Sequence, residues 1–500
     1  MGGPENVARQ HQADRLTVRE RIDRLLDSGS FHEIGALAGK ATYDDNGQLS
    51  AITPSNFVVG TGRIDGQRVV VGGDDFTVRG GAADARVGDK MGYGERLALG
   101  MRMPMIRLVD GTGGGGSVKT LEMIGFSYVP VMHSWEAVVR LMGAVPVVAA
   151  CLGPVAGLGA VRVATSHFSV MVKHSSQLFV AGPPVVERGI GQKVNKEELG
   201  GAHIHAHQSG VVDMEVDSED EAFAAIRQFL SYLPGNVWKM PVRRDSDDDP
   251  ARREAGLLSI IPRDRRQTYD VRHLLRMILD RESFFEMGQY YGTPLVTGLA
   301  RLDGHPIGVI ANDPRQGGGA PDMPACEKMT RFVELCDTFH LPVANFVDNP
   351  GFLIGTAAEQ AGTARFGARA LATVFQAEIP WISILLRRVY GVAGAAHGNV
   401  DRLNLRYAWP SGDWGSLPIE GGVQAAYRRE IEAAPDPDAR RREIEDRLNA
   451  VRSPFRTAEA FGIEEIIDPR DTRPLLCEWV HTAYELLPSQ LGPKARTARP

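Results

Sequence analysis

The sequence predicts an α/β protein of two tandem domains related by internal duplication, and three observations predict it. First, residues 58–113 pair with residues 296–351 at a constant offset of 238, with 18 of 56 positions identical; chance would give roughly four. Second, each copy alternates β-rich runs with helical ones, a pattern of α/β domains rather than of sandwiches or bundles. Third, glycine-rich turns lie between strand and helix after Asp110, after Asp348, and around Gly157 and Gly391. There, backbone N–H groups can face a ligand with no side chain in the way.

Taken in order, the match begins where Val18 to Asp27, Ser30, Phe31, Glu33 and Gly35 pair with Val271 to Asp280, Ser283, Phe284, Glu286 and Gly288 at offset 253. The change of offset places 15 extra residues between Ala36 and Phe57 of the first copy, a polar stretch expected to be an inserted loop. Identical pairs then include Gly60/Gly298, Arg63/Arg301, Asp65/Asp303, Gly66/Gly304, Asp75/Asp313, Gly80/Gly318, Gly81/Gly319, Lys90/Lys328, Asp110/Asp348 and Gly113/Gly351. Residues 68–72, 105–110 and 145–152 read as buried strands; 82–101, 135–142, 325–339 and 357–376 read as helices. Downstream, Pro146, Leu152, Val155 and Gly157 pair with Pro380, Leu386, Val389 and Gly391 at offset 234. Each copy is large enough to bury its own core. The expected division is a first domain at 1–240, a charged linker at 241–268, a second domain at 269–490 and a flexible tail at 491–500. The run from Arg243 to Pro250 reads as a solvated connector.

A formal net charge of −6 lacks the basic excess that nucleic acid binding needs, so no nucleic acid partner is expected. The four cysteines, Cys151, Cys326, Cys336 and Cys477, form no CxxC pair, which excludes a zinc ribbon or a disulfide framework. No apolar run reaches membrane-spanning length and residues 1–15 lack a signal h-region, so the expected compartment is the cytoplasm, with no membrane partner.

Three motif types bear on chemistry. Gly113 to Thr120 resembles a phosphate-cradling loop, but Val118 stands directly before Lys119 where that motif needs glycine. His203, His205 and His207 alternate, so on a strand they would share a face; without an acidic or cysteine ligand beside them they read as a polar edge, and no metal is expected. No GxSxG elbow supplies a nucleophile. Two copies of one domain with glycine turns and no side-chain base suit a reaction that develops two oxyanions. Carboxyl transfer from N-carboxybiotin to the α-carbon of an acyl thioester is such a reaction, and pairs of backbone N–H donors can stabilise both charges.

Leu16-Thr-Val-Arg-Glu-Arg-Ile22, Phe179-Val-Ala-Gly-Pro-Pro-Val185, Glu198-Leu-Gly-Gly-Ala-His203, Phe346-Val-Asp-Asn-Pro-Gly-Phe-Leu-Ile-Gly-Thr356, Tyr390-Gly391, Ala408-Trp-Pro410 and Ile467-Asp-Pro-Arg-Asp-Thr-Arg473 occur together. On these segments nearly the whole chain resembles the carboxyltransferase (β) subunits of biotin-dependent acyl-CoA carboxylases, the propionyl-CoA and methylcrotonyl-CoA carboxylase family. The resemblance implies two crotonase-like domains (the ClpP/crotonase ββα superhelix). It also implies a homo-hexamer (a trimer of dimers) or a mixed β-subunit assembly, a biotin carboxylase/biotin carrier (α) subunit as partner, and a coenzyme A thioester substrate. It assigns Gly157 and Leu158 N–H to the enolate and Val392 and Ala393 N–H to biotin, with Gly391 allowing close approach. Gly113, Gly114, Gly159, Tyr390 and Ala395 are implied on the substrate side, and Gly351 and Phe352 beside biotin. No metal is implied.

The chain departs from the family pattern. Leu158 and Val392 stand at equivalent places where relatives usually carry small residues, and Ala395 stands where propionyl-type enzymes carry an aspartate. Losing that charge implies a roomier, more apolar acyl pocket, or a distinct acid. The alternatives are a biotin-dependent decarboxylase or transcarboxylase, or a non-catalytic paralogue that assembles with an active β subunit.

Overall fold

The computed structural model describes residues 1–82, 87–111, 113, 118, 121–122, 125–402 and 404–495. No helix among them is long and apolar enough to cross a membrane. The chain divides into two compact units, residues 1–240 with 491–500, and residues 241–490.

In the first unit the strands are β1 (His32–Glu33), β2 (Gly39–Tyr43), β3 (Leu49–Pro54), β4 (Phe57–Ile64), β5 (Gln67–Asp74), β6 (Met105–Val109), β7 (Val147–Cys151), β8 (Pro154–Ala156), β9 (Phe168–Val172), β10 (Gln177–Phe179) and β11 (Met214–Val216). Seven of them form a sheet in the order β1-β4-β5-β6-β7-β9-β11. The second unit has β12 (Phe285–Met287), β13 (Leu295–Leu302), β14 (His305–Asn312), β15 (Val343–Asn349), β16 (Trp381–Tyr390), β17 (Leu405–Ala408), β18 (Asp413–Gly415) and β19 (Glu465–Ile466). Its order β12-β13-β14-β15-β16-β17-β19 repeats the first, with β18 added beside β16. The central strands are parallel and buried on both faces, so they read as continuous apolar runs.

Register is duplicated along with sequence. Gly60 faces Val71 as Gly298 faces Val309, and Ile106 lies beside Val148 as Ala344 lies beside Ile382. The identical glycines have a steric reason: a Cβ on Gly60 would stand 2.3 Å from the His32 carbonyl oxygen, and one on Gly298 2.6 Å from that of Phe285. The first helix of each repeat, Val18–Leu25 and Val271–Ile278, is capped at the same place, by Thr17 and by Asp270. Asp27 accepts from the N–H groups of Asp65 and Gly66 at one hairpin tip, and Asp280 accepts from those of Asp303 and Gly304 at the other. In the first unit, Val59, Val70, Met105 and Val147 pack in one core cluster, while Val109, Cys151, Val163 and Met171 form another.

Five expectations are refined. The inserted loop is an antiparallel hairpin, β2 with β3, its side chains largely exposed. The helix expected at 82–101 starts at Lys90 behind an Asp89 cap, residues 83–86 lying outside the described residues. The one expected at 357–376 breaks into Thr356–Gln360 and Thr363–Gln376, with Gly362 between them at φ +79°. The charged run is largely exposed, as a solvated connector should be, but it is also anchored: Arg252 bonds Asp248, Glu254 and the Met277 and Leu279 carbonyls, and the buried Arg473 bonds the Asp248 and Asp249 carbonyls. In the tail, Gly492 N–H donates to the Val237 carbonyl, while residues 496–500 lie outside the described residues.

The three histidines are not on a strand either. They lie on and beside a π-helical turn, Ile204–Gln208. His205 bonds the Leu178 carbonyl and the Ser209 hydroxyl, whereas His207 pairs with Glu215 at 2.9 Å. Most of the phosphate-loop stretch, including Gly114 and Lys119, lies outside the described residues.

Candidate active site

Each unit ends a central strand in a fully buried aspartate, Asp110 after β6 and Asp348 on β15, and then turns. The turn packs against the start of a second one. In the first unit Ala156 N–H donates to the Gly111 carbonyl at 3.3 Å, and a Cβ on Gly113 would stand 2.6 Å from the Ala156 oxygen. In the second, Gly351 N–H donates to Asn349 Oδ1 and the Tyr390 carbonyl lies 3.9 Å from where a Gly351 Cβ would be.

The second turns are conformational twins. Gly157 has φ +63° and Gly391 has φ +61°, a region that disfavours any residue with a Cβ. Each opens a short helix, Leu158–Ala164 and Gly391–Ala395. Amides in the first turn of a helix have no carbonyl four residues upstream to bond and carry the positive end of the peptide dipoles. Leu158 and Val392 leave their side chains substantially exposed, at 38% and 62%, so neither buries the amide end of its helix in core packing. One predicted donor is already used: Gly157 N–H donates to the Phe179 carbonyl at 3.1 Å. That leaves Leu158 and Gly159 N–H as the next amides in the first turn of the helix that follows Gly157.

Beside Leu158 lies a cleft of about 1540 Å³, counting the solvent at its mouth, walled by Phe57, Met91, Val131, Met132 and Trp135 with Lys90 and Arg96. That mixture suits a ligand with an apolar arm and an anionic end. In the second unit a cleft of about 430 Å³ runs behind Ala393, bordered by Phe352, Asn345, Asn349, Ala396 and His397. Phe352 also packs against Gly367, where any Cβ would collide with its ring. Ala395 is exposed and is not among the residues that line this cleft.

The two helices are pinned differently. Arg162, on the first, joins Arg107 around the buried Glu95, and Arg107 also donates to the Arg162 and Thr165 carbonyls. Burial pushes the Glu95 carboxyl up, but the two guanidiniums outweigh it and hold the group below the usual range. The second helix is held by neutral amides: Asn349 Nδ2 donates to the Ala393 carbonyl and Asn345 Nδ2 to that of His397. Burial lowers His397 from its ordinary range, so it is neutral near pH 7. Tyr390 is buried, its hydroxyl accepting from Arg452 at 3.1 Å, while Arg452 grips Asp413. Burial and the Asp413 charge push Tyr390 up to about 12, so it is not a base at neutral pH.

Glycine spacing marks both turns in the sequence but carries no mark of Glu95, Arg162, Asn345 or Asn349. Asn345 and Asn349 are offset-238 partners of Arg107 and Gly111. The signal was therefore a difference between the copies, not an identity.

A carboxyl transferase domain family matches residues 9–489. The propionyl-CoA carboxylase carboxyltransferase subunit of Haloferax mediterranei is 36% identical over 477 residues, covering 94% of this chain and 91% of its own. The methylmalonyl-CoA decarboxylase subunit alpha of Veillonella parvula is 31% identical, covering 95% of this chain and 91% of its own. Among solved structures, a chain of the transcarboxylase 12S hexamer, with methylmalonyl-coenzyme A and methylmalonic acid bound, superimposes with a TM-score of 0.87 at 31% identity, covering 100% of this chain and 94% of the other.

Proposed function

From the premise that this chain belongs to the carboxyl transferase family, we infer that it moves a carboxyl group between biotin on a carrier protein and the α (or vinylogous γ) carbon of an acyl-CoA. The observation that carries this reading is the twinned turn: two positive-φ glycines, Gly157 and Gly391, each presenting first-turn amides beside a buried-aspartate strand end. Carboxyl transfer develops negative charge at a thioester oxygen and at a ureido oxygen, and two preorganised donor pairs answer two oxyanions.

Leu158 and Gly159 N–H would hold the thioester oxygen, with the acyl-CoA in the cleft bordered by Phe57, Trp135, Lys90 and Arg96. Val392 and Ala393 N–H would hold the ureido oxygen, with Gly391 and Gly351 letting the ring approach and Tyr390 and Phe352 beside it. Carrier-borne biotin supplies the activated carboxyl group and, once that is lost, a basic ureido nitrogen. This division leaves the chain's own groups to bind and orient. Neither Tyr390 nor His397 is needed as a proton carrier. The chain would work with a biotin carboxylase/biotin carrier subunit and assemble as a hexamer, as the transcarboxylase 12S subunit does.

Incubating the purified chain with a carboxylated biotin carrier and a panel of acyl-CoAs tests the reading. Label appearing in a malonyl-type thioester supports it. Release of CO2 from such thioesters alone would favour the decarboxylase reading, which the Veillonella relative keeps in view. Binding to an active β subunit without either reaction would overturn the catalytic reading in favour of a scaffold.

A further inference from the structure

The hairpin tip between β13 and β14 carries Asp303 and His305, and the helix Thr472–Leu486 brings His481 against them. One ligand atom from each of the three lies within 4.8 Å of the others. Asp303 Oδ2 meets His481 Nε2 at 2.7 Å, while its Oδ1 accepts from Arg243 at 3.0 Å, which fixes the carboxylate plane. His305 stacks edge-on to His481 and beside Tyr484, and its Nδ1 is buried with no hydrogen-bond partner among the described residues. A buried ring nitrogen without a partner is costly, and a cation is one way to satisfy it. The tip is rigid: Asp303 sits at φ +45° with its N–H and that of Gly304 bound to Asp280.

The first repeat provides an internal control. At the same tip it has Asp65 and Gly66 in the same backbone conformation, at φ +47° and +78°, tied to Asp27 in the same way. His305 is there Gln67, at offset 238. The helix that packs on that tip offers Arg227, whose guanidinium lies 3.7 Å from Asp65. The hairpin thus needs an aspartate for its turn and a cation beside it, and the first unit meets both needs without histidine. Two histidines in the second unit exceed the structural requirement.

We propose that Asp303, His305 and His481 form a binding site for a borderline divalent cation of the zinc class. Two imidazoles and a carboxylate are a common zinc donor set, and the remaining positions would go to water. Metal entry breaks the His481–Asp303 hydrogen bond and the cation takes both atoms; a neutral His481 ring then carries its proton on Nδ1, and an imidazolium gives up one proton to solvent. The site joins a hairpin tip to a helix 178 residues away in sequence, so it would act as a clip on the second unit. It stands apart from the carboxyl transfer site and does not rest on that reading.

The test uses the full chain, stripped with a chelator and titrated with Zn2+ alone against a chromophoric competitor. One equivalent per chain is expected, with a rise in Tm and, on Co2+ substitution, visible d–d absorption. The double variant H305Q/H481T would leave Asp303 without imidazoles, but H305Q/H481R is sharper, because it installs the glutamine and arginine that the first unit already accommodates. It should fold, weaken Zn2+ by about 10- to 100-fold or more, and lose the Tm rise. Asp303→Asn is a second variant with the same expectation, and His207→Ala should leave binding unchanged. No Zn2+ uptake by the parent chain, or uptake that survives H305Q/H481R unchanged, overturns the proposal.

Discussion

Asp110 and Asp348 close equivalent strands and are both fully buried, yet the two units neutralise them from opposite directions. In the first, the cations come from the N-terminal segment and the helix after it: Arg21 donates to Asp110 at 2.8 Å, to Glu219 and to the Leu152 carbonyl, with Arg15 alongside. In the second they come from the neighbouring strand: Arg387 and Arg388 both grip Asp348, and Arg387 reaches back to the Gln267 carbonyl. The residue matching Arg387 at offset 234 is Gly153, where a Cβ would stand 2.1 Å from Asp110 Oδ1. The residues matching Arg15 and Arg21 at offset 253 are Thr268 and Leu274. The charge requirement at the strand end was thus preserved while the arginine changed its address. A buried carboxylate requires a partner and is indifferent to which element supplies it.

Neutralising the two aspartates should have the largest effect. Asp348→Asn strands Arg387 and Arg388 together and should cost about 3–5 kcal/mol in denaturant unfolding of the second unit. Asp110→Asn should cost less, roughly 1.5–3 kcal/mol, because Arg21 keeps both bonds to Glu219. Equal losses would mean that the two networks are not built as described.

Next come the pivots. Gly157→Ala and Gly391→Ala force a Cβ into positive φ, a strain of about 1–3 kcal/mol that turns the donors away, and each should lower kcat by about 10²–10³. Gly157→Ala alone should also raise KM for acyl-CoA, and Gly391→Ala alone should raise it for the carboxylated carrier. Matching changes in both parameters would erase the division of labour.

Acid should separate the units more gently. Burial pushes the Asp348 carboxyl up, but Arg388 and Arg387 more than offset this and hold it below the ordinary 3.8. Its contribution is therefore complete above pH 3.8 and lost as pH falls through the depressed folded value. Acid unfolding of wild type should show a loss below that pH that Asp348→Asn no longer shows. The smallest effects belong to Leu158→Gly and Val392→Gly. Both side chains are substantially exposed, so stability should shift by no more than about 1 kcal/mol, with activity kept or the acyl range broadened. Activity gained from none would indicate a scaffold that glycine repairs.

Identity between the copies was a good guide to backbone. Gly60, Gly66, Gly80, Gly81, Gly113 and Gly157 all recur, and each marks a close approach or a positive φ that the second unit repeats. Identity was a poor guide to what surrounds the site. Glu95, Arg107 and Arg162 correspond to Val333, Asn345 and Ala396, so an ion triad in one unit gives way to a cleft and amide hydrogen bonds in the other. No repeat search registers such a swap, because nothing in it is conserved. The charged run at 243–250 is exposed as its composition implies, but its anchoring was illegible for a related reason: composition reports how many charges are present, not that Arg473, over two hundred residues away, will bond the Asp248 and Asp249 carbonyls.

By itself the amino-acid sequence determined the duplication, the alternation of strands and helices in each copy, the two glycine turns and the kind of reaction that two donor pairs suit. These are local matters, set by apolar periodicity and by the few positions where only glycine fits. The tertiary structure alone decided that Gly157 N–H belongs to Phe179, that Asp110 and Asp348 draw arginines from opposite sides, and that His481 reaches Asp303 and His305. Those are pairings between residues far apart in the chain. A buried charge or amide fixes only that it must have a partner, and packing decides which one arrives.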